Sequence, residues 1–200
     1  MRVLAIETAT SACSVALLDG EDIIDFAHEI VGRGHAERLL PMIAGLSDGG
    51  RANAIRVDVG PGSFTGIRVG IAAARALAFG WSIPAGGFTS LALIAAIDGW
   101  QADTLVAIEG GHGEVFVAQY DEHGDVVSSP CSLSFADACA GVSETRIVGN
   151  ASARLVAARG WGKAVDITPD ARATNAVIAD LSLRPLYLRG ADAKPMVAPC

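Results

Sequence analysis

Few residues in this chain could do chemistry, and their spacing limits what that chemistry is. Acids stand at Glu7, Glu37 and Asp58. An acid on a first strand, one on a first helix and one on a fourth strand is how metal-dependent nucleases hold divalent ions. Acids on solvated faces are the commoner reading of the same residues. The histidines, His28, His35, His112 and His123, show neither HExxH nor HxxxH spacing. No serine, Ser63 included, lies in a G-x-S-x-G elbow. The run of hydroxyl residues between Thr8 and Ser14 has no paired histidine and reads as a hydrogen-bonded hairpin turn. No nucleophile comes with its base, so no catalytic and no metal-ligating residue is assigned.

The string GPGSFTG, Gly60 to Gly66, is the other candidate. It lacks the G-x-G-x-x-G spacing of dinucleotide sites, because its third glycine comes one residue late. It lacks the P-loop lysine, because Ile67 follows Gly66. A glycine-rich turn between strand and helix can still offer free N–H groups to an anion. It can equally be a tight turn that seats the helix against the sheet. Behind it Gly66, Gly70, Ala74 and Ala78 recur every four residues, a ridge of small side chains on one helix face. The ridge suits either internal packing against the preceding helix or a close subunit interface.

These residues need elements to position them. Residues 3–6, 13–18 and 23–27 read as a strand meander, with Asp19-Gly20 as a turn. Residues 35–46 carry helical apolar spacing, with a kink expected at Pro41. Residues 55–59 read as a strand, 66–79 as a helix capped by Thr65, 83–86 as a strand and 90–97 as a helix. In the second half, VAIEGGHGEVFVAQYDEHGDVV repeats the pattern of LAIETATSACSVALLDGEDII, and Glu109 takes the place of Glu7. This is the signature of two copies of one βββα-type unit. A strand at 145–148, helices near 151–158 and 174–181 and a tail strand at 185–188 complete the expectation. The chain divides into an N-terminal lobe, 1–100, and a smaller C-terminal lobe, 101–200.

Bulk composition restricts the function classes. Half of the 200 residues are hydrophobic and 18% are charged, so a packed core is expected. The net charge is −7 and the arginines are scattered, which argues against nucleic-acid binding by this chain alone. Cys13, Cys131, Cys139 and Cys200 form no CxxC pair and read as free thiols of a reducing compartment. The uncharged run 76–97 is broken by Gly80, Pro84, Gly86 and Gly87 and is no membrane span. Glu7 interrupts the apolar start before a secretory leader can develop. A cytoplasmic location is expected.

The segments LAIETATSACSVAL, HAERLLPMI, VDVGPGSFTGIRVGIAAARALA and IPAGGFTSLALIA resemble the TsaB (YeaZ) family. The resemblance is dense over residues 3–97 and thinner beyond, with PLYLR fitting the family's C-terminal end. It implies an α/β actin-like (ASKHA) fold built from two ribonuclease H-like lobes. It also implies a non-catalytic subunit that pairs with TsaD, joins TsaE in a ternary complex, and pairs with itself when alone. That complex makes threonylcarbamoyladenosine (t6A) at position 37 of ANN-decoding tRNAs, with tRNA held mainly by TsaD. The partner interface implied comprises His35, Arg38, Leu39, Pro41 and Met42 on the first helix. On the second it comprises Gly66, Arg68, Val69, Gly70, Ile71, Ala72 and Ala74. Glu7, Thr8, Thr10, Gly62, Ser63 and Thr65 would line a nucleotide groove. ATP or ADP would belong to the complex interface, with no cofactor held tightly by this chain. Where the family often has an Asp-Ala-Arg segment, this chain has Glu109-Gly110-Gly111, which leaves any role of that arginine without its residue, unless His112 partly replaces it. An independent actin-like phosphotransferase or ATPase is the alternative, and a peptidase a third reading.

Overall fold

The computed structural model describes residues 1–188. Arg189, the last residue of PLYLR, and Cys200 lie outside them. The chain forms two five-stranded sheets. β1 (Arg2–Glu7), β2 (Ala12–Asp19) and β3 (Asp22–Ile30) make an antiparallel meander, and β4 (Ala54–Asp58) and β5 (Ala85–Phe88) add in parallel beside β1. The order is β3-β2-β1-β4-β5. The second sheet repeats it with β6 (Thr104–Gly111), β7 (Glu114–Tyr120), β8 (Val126–Ser134), β9 (Arg146–Val148) and β10 (Lys163–Val165), in the order β10-β9-β6-β7-β8. This is the ribonuclease H-like order; its duplication was expected from the internal repeat, and the actin-like α/β fold it makes is the one the family resemblance implies.

Alternation along the strands decides what each sheet face covers. Leu4, Ile6, Cys13, Val15, Leu17, Ile55 and Val57 point to one side of the first sheet. There they meet α1 (His35–Gly45) and α2 (Phe64–Trp81). Val3, Ala5, Ala16 and Leu18 point to the other side, which a 3-10 turn at Ala171–Ala176 covers. α3 (Ser90–Ile97) packs on one face of the second sheet, through Leu91 and Ile94. The short α4 (Phe135–Gly141) and α5 (Ser152–Arg159) pack on its other face. The chain after β10 returns to the first sheet, where Leu181 bridges Gly87 and the Leu186 N–H bonds the Val59 carbonyl at 2.7 Å.

Several local expectations change. α1 runs through Pro41 as one helix. Pro41 and Glu37 are both exposed, so the carbonyl left without a donor is on the solvent side. Ser63, not Thr65, caps α2, its Oγ accepting the Gly66 N–H at 3.2 Å. β5 lies two residues later than expected, because Pro84 has no N–H to give a ladder. The expected helix over 174–181 is only the 3-10 turn followed by extended chain, and no strand forms over 185–188. α4 and β10 had no expectation.

The GPGSFTG string owes its glycines to close approach. The loop lies against the turn after β1: Ser63 N–H donates to the Ala9 carbonyl at 2.6 Å, and Thr8 Oγ1 donates to the Gly66 carbonyl at 2.8 Å. A Cβ at Gly62 would stand 2.0 Å from the Ala9 oxygen, and one at Gly66 2.0 Å from the Thr8 oxygen. One at Gly70 would stand 2.4 Å from Thr8 Oγ1. The ridge of small residues therefore faces inward onto β1, and Ala74 with it is fully buried. It is not available to another helix. Gly66→Ala should destabilise the fold by about 3 kcal/mol or more, by overpacking against backbone. Gly80→Ala, on the same helix but with open space around it, should stabilise by about 0.5–1 kcal/mol. Urea unfolding of the three proteins checks both signs.

Candidate functional site

Ala9–Ser11, in the turn between β1 and β2, and Gly110–His112, the end of β6 and the start of the turn into β7, face each other across a cleft of about 910 Å³. The GPGSFTG loop contributes Gly62, Ser63 and Phe64, α2 contributes Arg68, and Leu186–Leu188 close one side. A volume of this size suits a small-molecule ligand.

Arg68 organises the rim. Its guanidinium lies 3.6 Å from the centre of the Phe64 ring, and its Nε donates to Tyr187 Oη at 2.6 Å. The Phe64 and Tyr187 rings stack at 5.5 Å. Both rings are about half exposed, so the layer presents flat π surface and one cation to the cleft. On the opposite wall Glu109 pairs with Arg154 at 3.2 Å and its N–H donates to Asn150 Oδ1 at 2.9 Å.

Below the cleft floor lie two acids that solvent does not reach. Glu7 and Asp58 are each 0% exposed at the ends of the adjacent parallel strands β1 and β4. Glu7 Oε1 accepts the Ala9 N–H at 2.8 Å, and Asp58 Oδ1 accepts the Gly60 N–H at 2.6 Å. Ser90 Oγ donates to the Pro61 carbonyl at 2.5 Å, tying the loop to α3 as well. Burial, then the neighbouring Asp58, holds the Glu7 carboxyl well above the usual range. Burial pushes Asp58 up to about 7 against the hydrogen bonds it accepts.

Of the expected groove residues, Thr10, Gly62 and Ser63 line the cleft. Glu7 and Thr8 are sealed beneath it, and Thr65 is exposed on α2 outside the lining. Of the expected interface residues, His35, Leu39, Met42, Gly66, Gly70, Ile71 and Ala74 are buried within the chain itself. His35 Nε2 is 2.9 Å from the Ala12 carbonyl, a core hydrogen bond. These seven support the helices and offer no surface. Arg38, Pro41, Arg68 and Ala72 are exposed and Val69 is half-buried. Arg38 pairs with Glu29 on β3 at 2.5 Å, and Arg68 belongs to the cleft. The outward side of the two helices instead carries Leu40, Pro41, Ala72, Ala76 and Phe79.

Phe64, Tyr187 and Asn150 had no site expectation, and the Glu109–His112 segment was expected only as the place where the family's arginine is missing. The internal repeat signals the turn, since it places Glu109 where Glu7 stands in the first copy. Gly111 has φ +72° and His112 φ +51°, so both sit in a backbone region that L side chains seldom adopt. An arginine in place of Gly111 would strain the backbone although nothing lies within 4 Å of its Cβ. Glu37 is exposed on α1, away from the sealed pair. Among the described residues no three His, Cys, Asp or Glu side chains gather to hold a metal.

Comparison with known proteins gives this arrangement its family. The model for "TsaD: tRNA N6-adenosine threonylcarbamoyltransferase" matches residues 26–172, well over half of the chain. The tRNA threonylcarbamoyladenosine biosynthesis protein TsaB of Escherichia coli (strain K12) is 43% identical over 100 residues, 48% of this chain and 43% of that protein. An uncharacterised protein of Mycobacterium leprae (strain TN) is 35% identical over 210 residues, 98% of this chain and 57% of its own length. The chain thus spans about half the length of the curated relatives it matches. YeaZ from Pseudomonas aeruginosa superposes with a TM-score of 0.75 at 26% identity, covering 94% of this chain and 99% of that one. The chain belongs to the TsaD-type tRNA N6-adenosine threonylcarbamoyltransferase family, on its TsaB (YeaZ) branch.

Proposed function

We propose that this chain serves t6A biosynthesis as the non-catalytic, partner-binding subunit of the transferase complex, docking on TsaD and supporting TsaE-dependent activity. The observation that carries the reading is the 43% identity to a protein named for threonylcarbamoyladenosine biosynthesis. The donor chemistry supports it. His28 faces Asp170, His35 is bonded in the core, His112 stands at the cleft rim and His123 lies in an exposed hairpin. Four histidines on four separate elements do not converge on one reacting atom, so the transfer step is assigned to TsaD. The acidic net charge leaves tRNA mainly to TsaD as well.

The outward side of α1 and α2 is the docking surface in this reading. Leu40 is 54% and Phe79 89% exposed, with Ala72 and Ala76 one turn apart on the same helix. Small residues there let a partner helix approach closely. The same surface would serve a homodimer when TsaD is absent. Because the inward ridge fills the core, a bulky residue at Gly70 would disturb the fold, whereas Ala72→Arg alters only the exposed side. With TsaD from the same organism, the native chain should form a 1:1 complex by size-exclusion chromatography with light scattering. Ala72→Arg and Leu40→Asp should each weaken it by tenfold or more, about 1.4 kcal/mol, while melting like the native chain. A native chain that neither binds TsaD nor supports t6A formation with TsaD and TsaE would sink the proposal.

The second reading, an independent actin-like ATPase, is favoured by the cleft and its Phe64–Arg68–Tyr187 layer. The two readings part on affinity. In the subunit reading nucleotide belongs to the assembled complex, so titration calorimetry of the isolated chain with ATP should give a Kd near or above ~1 mM. Micromolar binding lost in Arg68→Ala would favour the ATPase. A peptidase needs a nucleophile with a base. Ser14 and His28 are cross-strand neighbours, but both turn to Asp170, and Ser14 Oγ already accepts the Ala171 N–H at 3.0 Å.

A further inference from the structure

The sealed acids are unexplained by docking or by the cleft lining. Each has one oxygen engaged by the loop that follows its own strand, Glu7 by Ala9 and Asp58 by Gly60. The other two, Glu7 Oε2 and Asp58 Oδ2, are buried with no donor in good hydrogen-bond geometry, although the Thr10 N–H approaches Glu7 and the Ser90 N–H and hydroxyl approach Asp58. The two residues stand side by side at the ends of their paired strands, each one residue past the Ile6–Val57 pair of β1 and β4. Ionised carboxylates are acceptors only, so a pair of orphan acceptors can satisfy each other only if one carries a proton. Nothing cationic compensates them. The ionisable groups around the pair are Asp170, from the chain before the 3-10 turn, Cys13 on β2 and Tyr120 on β7. Beyond Asp170 lie His28 on β3, 3.6 Å from that aspartate, and Arg172, whose guanidinium pairs with it. Among the described residues neither Glu7 nor Asp58 makes an ion pair or hydrogen bond with Lys or Arg.

We propose that Glu7 and Asp58 share one proton through their facing oxygens, and that this proton fastens the turn after β1 to the GPGSFTG loop, closing the cleft floor at and below neutral pH and loosening it above. Raising the pH releases that proton to solvent and leaves two buried carboxylates side by side, which cannot both stay ionised in place. Both carboxyls titrate higher in the folded chain than in the unfolded one, where they ionise near pH ~4. The folded state then binds the extra proton. Stability from the pair is complete below pH ~4 and falls as pH rises toward and through about 7, the point to which Asp58 is raised.

Chemical unfolding from about pH 5 to about pH 9 tests this. The native folding constant should fall with rising pH by up to about tenfold per unit. Asp58→Asn keeps the acceptor for Gly60 and supplies an amide donor to Glu7, a mimic of the singly protonated pair that cannot be deprotonated. It should flatten the slope, as should Glu7→Gln. Amide exchange at Ala9 and Gly60 should accelerate with pH beyond the intrinsic rate in the native chain and not in Asp58→Asn. Infrared spectroscopy of the native chain at about pH 6.5 should show a carboxylic-acid carbonyl band, since free carboxyls are ionised there. That reading stands even if both variants fail to fold. No such band, an unchanged slope in well-folded variants, or full recovery of native stability at high pH by Mg²⁺, which would put a cation where the proton is placed, would each overturn the proposal.

Discussion

The fold depends on one backbone contact, that of the GPGSFTG loop and the start of α2 with Thr8 and Ala9. Strand β1 sits at the centre of its sheet, so α2 can lie directly on it only if nothing projects between them. Gly62, Gly66 and Gly70 provide that space, with the hypothetical Cβ at the first two falling 2.0 Å from carbonyl oxygens. The other features follow. Because α2 lies this close, its small ridge is inward and its outward side carries Ala72 and Ala76. Because the loop lies over the ends of β1 and β4, Glu7 and Asp58 lose contact with water. Because Ser63 is fixed by Ala9, Phe64 and Arg68 begin the helix at the edge of the cleft.

The two halves share a topology and differ in what that topology encloses. Glu109 occupies the repeat position of Glu7, yet it is exposed and paired with Arg154, whereas Glu7 is sealed beside another acid. The helices of the second copy are seven and eight residues long against eleven and eighteen in the first. Shorter helices cover less sheet, and the hydrophobic clusters that involve the second sheet or α3 are smaller groups. The first copy therefore carries the larger continuous core and the outward helical surface. The second supplies the facing wall of the cleft.

Much of this was legible in the sequence, for identifiable reasons. Strand alternation and the internal repeat exposed the meander of each half and its duplication, because period-two burial is written directly into residue order. α1 and α3 were legible nearly to the residue. The return of the chain across the first sheet was not. Residues 174–181 read as a helix, but the chain instead makes a 3-10 turn at Ala171–Ala176, where Ala171 packs against Val3, Ala5, Ala16 and Leu18. The site was legible only in part. Four-residue spacing shows that Gly66, Gly70 and Ala74 share a side of α2, but Ala72 and Ala76 have the same spacing. Which side meets the sheet is decided by Thr8 and Val57, residues far away in sequence. Burial of Glu7 and Asp58 likewise arises from a loop folding over strand ends, which no local pattern records.

α2 joins the cleft to the outward surface within one rigid element. Arg68 stacks on Phe64 in its first turn, and Ala72 lies one turn further along, about 6 Å by the helical rise. The beginning of the helix is held by the Ser63 cap, by the Thr8 hydroxyl and by the Gly60 bond to Asp58. The outward Ala72 and Ala76 thus belong to a helix whose starting position is set by the sealed acids and the turn after β1. Any shift of that loop must move the aromatic layer and the outward side together, because an eighteen-residue helix packed along a sheet tilts or slides as a unit. In this geometry the cleft, the acid pair and the outward side of α2 are three faces of one mechanical part.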